Sequence, residues 1–420
     1  MVEGYFDRLR RLPCEILQYI ALMLPFSSIK QLRCSSKFWY NLLTDPKFVD
    51  LHLTHALEKP PGYLFTAMPK CLLQKKAYYF VEQSHGHVST SKIFEYSFEK
   101  YEPDLWEDFQ SGGGLIFAYS SQWCYFRIFN PHIGEEVKVP YDHKFIRWDS
   151  LRFIFSYSPS IKEYQILKLG ELKNNGHTVG SNVAEICTLG SNIWRKIQNV
   201  PNTWWYIHPH TQCQGNLFWL EDSDLYFFDI IFEKFHVIPG PPVFDRIHVT
   251  CDSDTRVKIV SSSLISMGHT VGYVHNNKLW VLEDKTKAIW INRYKFSISL
   301  LYDNYPTLIG TSENGHLFGY MGWRPTDVFS HDIGCTGFRV MEMKLEDDWR
   351  EEDSRSIRYI APHVRSFVSP VRIMNMGKRL NHKRKRVLDT LKLDYDATED
   401  DLFDQMYEFM EAYEKSDIKA

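Results

Sequence analysis

The sequence predicts a mainly β protein with a small α module at its N-terminus, a ring of short-stranded blades and a charged helical tail. Three observations predict it. Residues 12–53 carry three helix signals in succession. From about residue 60 to 370 the chain consists of short apolar or alternating runs separated by Gly, Asn, Asp and Pro. Beyond 371 a dense basic cluster gives way to an acidic stretch with apolar residues at helical spacing.

Pro13 suits the first position of a helix, where its missing N–H has no partner to lose. From there Ile16, Leu17, Ile20 and Leu24 fall at i, i+1, i+4 and i+8, an apolar stripe at helical period. Pro25 stops this helix, and Ser27 or Ser28 is expected to cap a second that carries Ile29 and Leu32 on one side. Ser35 or Ser36 is expected to cap a third, holding Trp39 and Leu42–Leu43 until Asp45–Pro46 ends it. A piece this small cannot support a core of its own. Its apolar residues exceed what one small face can bury, so some of Leu12, Pro13, Ile16, Ile20 and Pro25 are expected to form an exposed patch, and such patches mark a partner.

The middle of the chain changes period. Runs such as Leu115–Tyr119, Tyr125–Phe129, Asn216–Leu220, Lys278–Leu282 and Val364–Val368 are rich in β-branched and aromatic residues, which suit a pleated, half-buried surface. Asn130-Pro131-His132-Ile133-Gly134 has turn chemistry. Strands this short and numerous form a sandwich, a barrel or a ring of blades. Roughly 300 residues is large for one sandwich but near six blades of about 45–50 residues. Gly215-Asn216-Leu217-Phe218-Trp219 and Asn277-Lys278-Leu279-Trp280 hint at repetition without a strict repeat, and an irregular two-sheet structure is the alternative.

Composition narrows the function. Hydrophobic residues at 44% and charged residues at 24% are those of a soluble globular protein. A net charge of −3 offers no global basic field for nucleic acid. No apolar run approaches the ~20 residues that span a bilayer, so no membrane role is expected. Eight scattered cysteines without C-x-x-C spacing, and no glycosylation sequon, fit a reducing cytoplasmic or nuclear setting.

No nucleophile elbow, zinc-protease motif or phosphate loop is present, so no catalysis is expected of this chain. A propeller glycosidase is the enzymatic rival and would need paired carboxylates at its mouth. His52-x-x-His55 and His208-x-His210 lack Cys or carboxylate companions, so neither a metal nor a cofactor is expected. Binding in a blade ring would rest on aromatic and Arg anchors in the loops. The candidates are Trp204, Trp205 and Tyr206 with His208 and His210, Trp123, and Trp323 with Arg324. Any single one of these tryptophans also reads as blade packing. Three adjacent aromatics, however, cannot all face inward from one strand.

In the tail, Lys378–Arg386 holds six basic residues in nine, and Lys383, Arg384, Lys385 and Arg386 form a nuclear-import candidate. A solvated linker is an equal reading, and nucleic-acid binding the least favoured. Thr398 and Glu399-Asp400-Asp401 suit a helix start, followed by Leu402, Met406, Phe409, Met410 and Tyr413 on one stripe.

Two ordered sets of residues resemble known families. Leu12-Pro13-x-Glu15-Ile16-Leu17, Leu24-Pro25, Ile29, Arg33-Cys34-Ser35-Ser36-Lys37-x-Trp39, Leu42-Leu43, Asp45-Pro46-x-Phe48 and His52-Leu53 resemble an F-box. The resemblance implies docking on a Skp-type adaptor, and through it a cullin and a RING protein, by Leu12, Pro13, Ile16, Leu17, Ile20, Pro25 and Ile29. Leu32, Trp39 and Leu43 would form the module's core. The second set comprises Gly114-Leu115-Ile116, Phe129-Asn130-Pro131-x-x-Gly134-Glu135, Phe155-x-Tyr157-x-Pro159, Leu189-Gly190-Ser191-Asn192-x-Trp194-Arg195-x-Ile197, Gly215-Asn216-Leu217-Phe218-Trp219, Phe228-Asp229-x-x-x-Glu233-Lys234-Phe235 and Ser366–Pro370. It resembles the F-box-associated domain of plant F-box proteins, a kelch-like propeller that recruits substrate, with His132-Ile133 reading as turn variation.

The expected organisation is therefore an F-box at 6–55, an F-box-associated propeller at 60–370 and a charged tail at 371–420. The expected function is substrate recognition for a Skp–cullin–F-box ubiquitin ligase acting on an unknown target protein. The alternative is a propeller that binds a glycan or small ligand without ligase function.

Overall fold

The computed structural model describes residues 12–59, 61–67, 75–84, 87–97, 108–119, 125–140, 152–174, 177–191, 193–202, 210–221, 223–242, 263–267, 269–275, 278–295, 306–311, 317–321, 324–331, 338–342 and 357–375. Four short helices open it: α1 Cys14–Leu22, α2 Phe26–Ser35, α3 Lys37–Leu43 and α4 Pro46–Leu57. Pro13 and Pro25 occupy the cap positions of α1 and α2, so α2 starts one residue ahead of the serines expected to cap it. Ser36 caps α3, its hydroxyl accepting from the Trp39 N–H at 3.3 Å. Asp45-Pro46 starts a fourth helix instead of ending the helical text. The Asp45 carboxylate accepts from the Lys47 N–H at 2.8 Å and Pro46 sits at the first helical position, both favourable entry signals.

The strands form six four-stranded antiparallel sheets, or blades, among the described residues. Blade I places β24 (Ile357–His363) beside β1 (Gly62–Ala67), β2 (Lys75–Ser84) and β3 (His87–Ser97). Blade II holds β4 (Asp108–Gly112), β5 (Leu115–Tyr119), β6 (Tyr125–Asn130) and β7 (Glu135–Pro140); blade III holds β8 (Arg152–Ser158), β9 (Glu163–Asn174), β10 (His177–Thr188) and β11 (Trp194–Ile197). Blade IV holds β12 (His210–Cys213), β13 (Asn216–Glu221), β14 (Asp224–Asp229) and β15 (Lys234–Pro239). Blade V holds β16 (Ser263–Ser266), β17 (Val271–His275), β18 (Lys278–Asp284) and β19 (Ile289–Lys295). Blade VI holds β20 (Pro306–Thr311), β21 (Leu317–Met321), β22 (Arg324–His331) and β23 (Phe338–Glu342).

Apolar clusters between neighbouring blades hold the ring. Tyr78 and Ile116 join I to II, Phe126 and Phe153 join II to III, Leu169 and Trp219 join III to IV, Phe227 and Tyr273 join IV to V, and Val281 and Leu317 join V to VI. Tyr63 of blade I stacks on Phe318 of blade VI at 4.3 Å, which closes the circle. Polar latches accompany these contacts. Gln110 donates to the Phe153 carbonyl at 2.7 Å, and Gln212 donates to the Phe155 carbonyl at 2.6 Å, so β8 is clamped from both neighbours. Arg195 and Glu233, each part of a family-like phrase, meet as an ion pair 2.5 Å apart between blades III and IV.

The last strand of blade I comes from the C-terminal end of the described chain. After β24 the chain runs as a strap, 364–369, into α5 at 370–375. Val364–Val368, expected as a strand, therefore joins no sheet. Its Ser366 and Val368 carbonyls accept instead from the Asn130 side-chain amide, at 3.0 and 2.9 Å. Gly114, at φ +76°, passes so close that an added Cβ would lie 2.1 Å from the Ser366 hydroxyl, so only glycine fits. Of the charged helical tail expected at 371–420, residues 371–375 belong to α5 and the rest lies outside the described residues.

Candidate functional site

Helix α1 divides its apolar residues between two directions. Leu17 (1% exposed), Ala21 and Leu22 turn inward, where Ile29, Trp39, Leu42, Leu43 and Phe48 complete the module's core with Leu32 half-buried beside them. Leu12, Ile16 (49% exposed), Tyr19, Ile20 (44%) and Met23 (81%) fall at i, i+4, i+7, i+8 and i+11 and face outward, with Pro13, Leu24 and Pro25 exposed at the ends. Covering one such side chain contributes about 1.5–3 kcal/mol. The set is comparable with the entropy of association, roughly 4–15 kcal/mol, so it can anchor a partner where no single member could.

This geometry sorts the expected adaptor-binding residues. Leu12, Pro13, Ile16, Ile20 and Pro25 present free surface. Leu17 and Ile29 do not: each is 1% exposed, because adjacent positions on a helix point about 100° apart and these two fall on the inner side. Trp39 and Leu43 sit in the core cluster, and Leu32 packs against it. Tyr19 and Met23 belong to the outer stripe and were missed; their spacing from Leu12 and Ile16 was the available signal. Trp123, Trp204, Trp205, Tyr206, His208 and Trp323 lie outside the described residues, as do Lys383, Arg384, Lys385 and Arg386. Arg324 opens β22, but its side chain lies outside the described set, as does that of His210, which opens β12.

Beneath the stripe, the helical module is fused to blades I and II. Phe367 of the strap stacks on Phe26 of α2 with ring centroids 4.6 Å apart and meets His52 of α4 edge-on at 5.0 Å. The Arg33 guanidinium lies over the Phe367 ring at 5.7 Å. His132 and Ile133, read from sequence as turn variation, instead face this seam. Ile133 packs on the helical core, and His132 Nε2 lies 3.2 Å from His363 Nε2. His363 Nδ1 lies 2.7 Å from the Ser111 hydroxyl. Burial, reinforced by Arg365, holds both imidazoles well below their ordinary pKa, His363 at about 3, and burial likewise lowers His52 to about 4. The facing nitrogens of the neutral pair then carry one proton between them.

Beside the seam, between α3–α4 and blades II and III, lies a cleft of about 770 Å³. Tyr157 and Tyr164 form part of its wall, and burial raises both hydroxyls, so they stay protonated. Tyr164 donates to the Gly113 carbonyl at 2.5 Å. Arg33, Lys162 and Arg372 line it together with Asp50, Glu135 and Glu163, so the cleft carries mixed charge and no field of one sign.

Comparison with known proteins agrees with this geometry. Residues 9–51 match the F-box domain, and residues 67–363 match the F-box associated beta propeller domain. An F-box protein of Arabidopsis thaliana is 24% identical over 341 residues, covering 75% of this chain and 72% of the relative. A second from the same plant is 25% identical over 354 residues (73% and 68%). The F-box protein DOR is 24% identical over 321 residues (69% and 75%). With an exposed helical stripe at one end and a blade ring at the other, the chain belongs to the F-box proteins that carry an F-box associated β-propeller domain.

Proposed function

We propose that this protein is the substrate-recognition subunit of a Skp–cullin–F-box ubiquitin ligase. The outer stripe of α1 is the observation that carries the reading: five apolar side chains at helical spacing are left uncovered on a module whose inner face is fully packed. The stripe docks on a Skp-type adaptor, which brings the cullin and RING protein. The propeller acts as a kelch-like platform for the target, with Trp204, Trp205, Tyr206, His208, Trp323 and Arg324 as its contact candidates. The bond-forming chemistry belongs to the recruited conjugating enzyme, and this chain raises the effective concentration of target beside it. This role suits a protein of the cytoplasm, the nucleus or both, with Lys383–Arg386 as a candidate import signal. Full-length chain with Ile16→Asp and Ile20→Asp should lose capture of a purified Skp-type adaptor at least a hundredfold while its thermal unfolding is unchanged. Undiminished capture by that variant would remove the stripe from the interface.

A further inference from the structure

The helical module does not own its core. Of the residues that fill it, Phe367 comes from the strap, more than 300 positions away in sequence, and Ile133 comes from the blade II turn. Phe367 is 3% exposed and meets Phe26 and Arg33 of α2 and His52 of α4. The strap is held in turn by the propeller: Asn130 grips its carbonyls, Arg365 lies over Phe80 at 4.4 Å and pairs with Glu82 at 2.9 Å, and Ser369 bonds to Glu135. On the far side, Arg372 of α5 donates to the Thr44 carbonyl at the end of α3. The segment that seats Phe367 is also the continuation of β24, the strand that completes blade I.

We propose that adaptor capture is conditional on this strap, so the outer stripe of α1 becomes competent only in a chain whose propeller has closed. The inference rests on the adaptor-docking reading and adds a control to it. Helices α1–α4 are short, 7 to 12 residues each, and helices of this length depend on packing for their stability. Removing the Phe367 ring takes away the contact that Phe26 of α2 and His52 of α4 share. A chain that lacks or has lost its strap would loosen the core on which Leu17, Ala21 and Leu22 of α1 pack, and the ligase would receive only completed receptors.

The test uses full-length chain and two substitutions, Phe367→Ala and Phe367→Leu. Hydrogen exchange follows α1 and α3, with β13 and β18 as internal reference, and a purified Skp-type adaptor measures capture. Phe367→Ala should lose at least tenfold of the amide protection in α1 and α3 and at least tenfold of adaptor affinity, and Phe367→Leu should restore most of both. Wild-type protection in the helices of Phe367→Ala would overturn the proposal, and so would lost protection with affinity held within twofold. Should the unsubstituted chain capture no adaptor, the docking reading fails on its own, while unchanged helix protection in Phe367→Ala remains the separate mark of a core that does not need its strap.

Discussion

The turns that close blades II and V are built alike and serve different ends. Each follows the third strand of its blade, each begins with an Asn or Asp whose side-chain oxygen accepts a backbone N–H two residues on, and each ends on a left-handed residue four positions later. In blade II these are Asn130, accepting from His132 at 2.9 Å, and Gly134 at φ +72°. In blade V they are Asp284, accepting from Thr286 at 2.9 Å, and Ala288 at φ +51°. Blade IV repeats the device with Asp229 and Glu233 at φ +55°. The acceptor oxygen is all that the turn requires, and Asp and Asn supply it equally. What differs is the other half of the side chain. Asn130 is fully buried and its amide donates to the strap, which a carboxylate cannot do. The same turn chemistry thus serves as plain local structure in blade V and as an anchor for the C-terminus in blade II.

Exchanging the two residues tests this difference most directly. Asn130→Asp keeps the turn acceptor but orphans two strap carbonyls and buries a charge, and should cost about 3–5 kcal/mol in denaturant unfolding. A loss below 1 kcal/mol would show that the strap does not depend on Asn130.

Acid separates the two turns next. His52, His132 and His363 are neutral when folded, with pKa values depressed by burial, whereas in the unfolded chain they protonate near pH 6.5. The unfolded state then binds more protons below pH 6.5, so stability is complete above about pH 7 and falls as the pH drops. The loss approaches about 2 kcal/mol per histidine by pH 5. Hydrogen exchange at pH 5 should expose the strap and blade II ahead of blade V, whose turn contains no histidine and whose Asp284 is held below the usual carboxylate range by the Thr286 hydroxyl. His52→Phe, placing a ring among Phe26, Phe48 and Phe367, should shallow the slope; a slope unchanged by it would remove His52 from the account.

Smaller effects come from the left-handed positions. Gly134 has open space around it, so Gly134→Ala isolates the backbone cost at about 1 kcal/mol. Ala288→Gly should run the other way by up to about 1 kcal/mol, and opposite signs in thermal melts would establish that the two positions are equivalent. Asp284→Asn should be the mildest change, since the turn acceptor remains. A melting temperature that falls with it would mean that the charge, and not the acceptor, holds the blade V turn.

Much of this was legible along the chain. The stripe at Ile16 and Ile20 could be read because helical period depends only on neighbours in sequence. Its phase could not. Leu17 and Ile16 are equally apolar, and only the position of α3 and α4 decides which one is covered. The turn repeat stayed hidden because its left-handed position is filled by Gly134, Glu233 and Ala288, three residues with nothing in common except the conformation the turn imposes on them. Val364–Val368 has the composition of a strand, and no local rule reveals that a blade II side chain will take its hydrogen bonds.

By itself, then, the sequence determined which part of the chain is helical and which is β, which residues are apolar enough to need cover, and the F-box and propeller phrases that place the chain in its family. Each depends on side-chain chemistry and short-range spacing. Tertiary structure alone decided that Phe367 would fill the helical core, that His132 would face His363, and that Asn130 would hold the strap. These pairings join residues more than 200 positions apart, and they exist only once the ring closes and brings its last strand back beside its first.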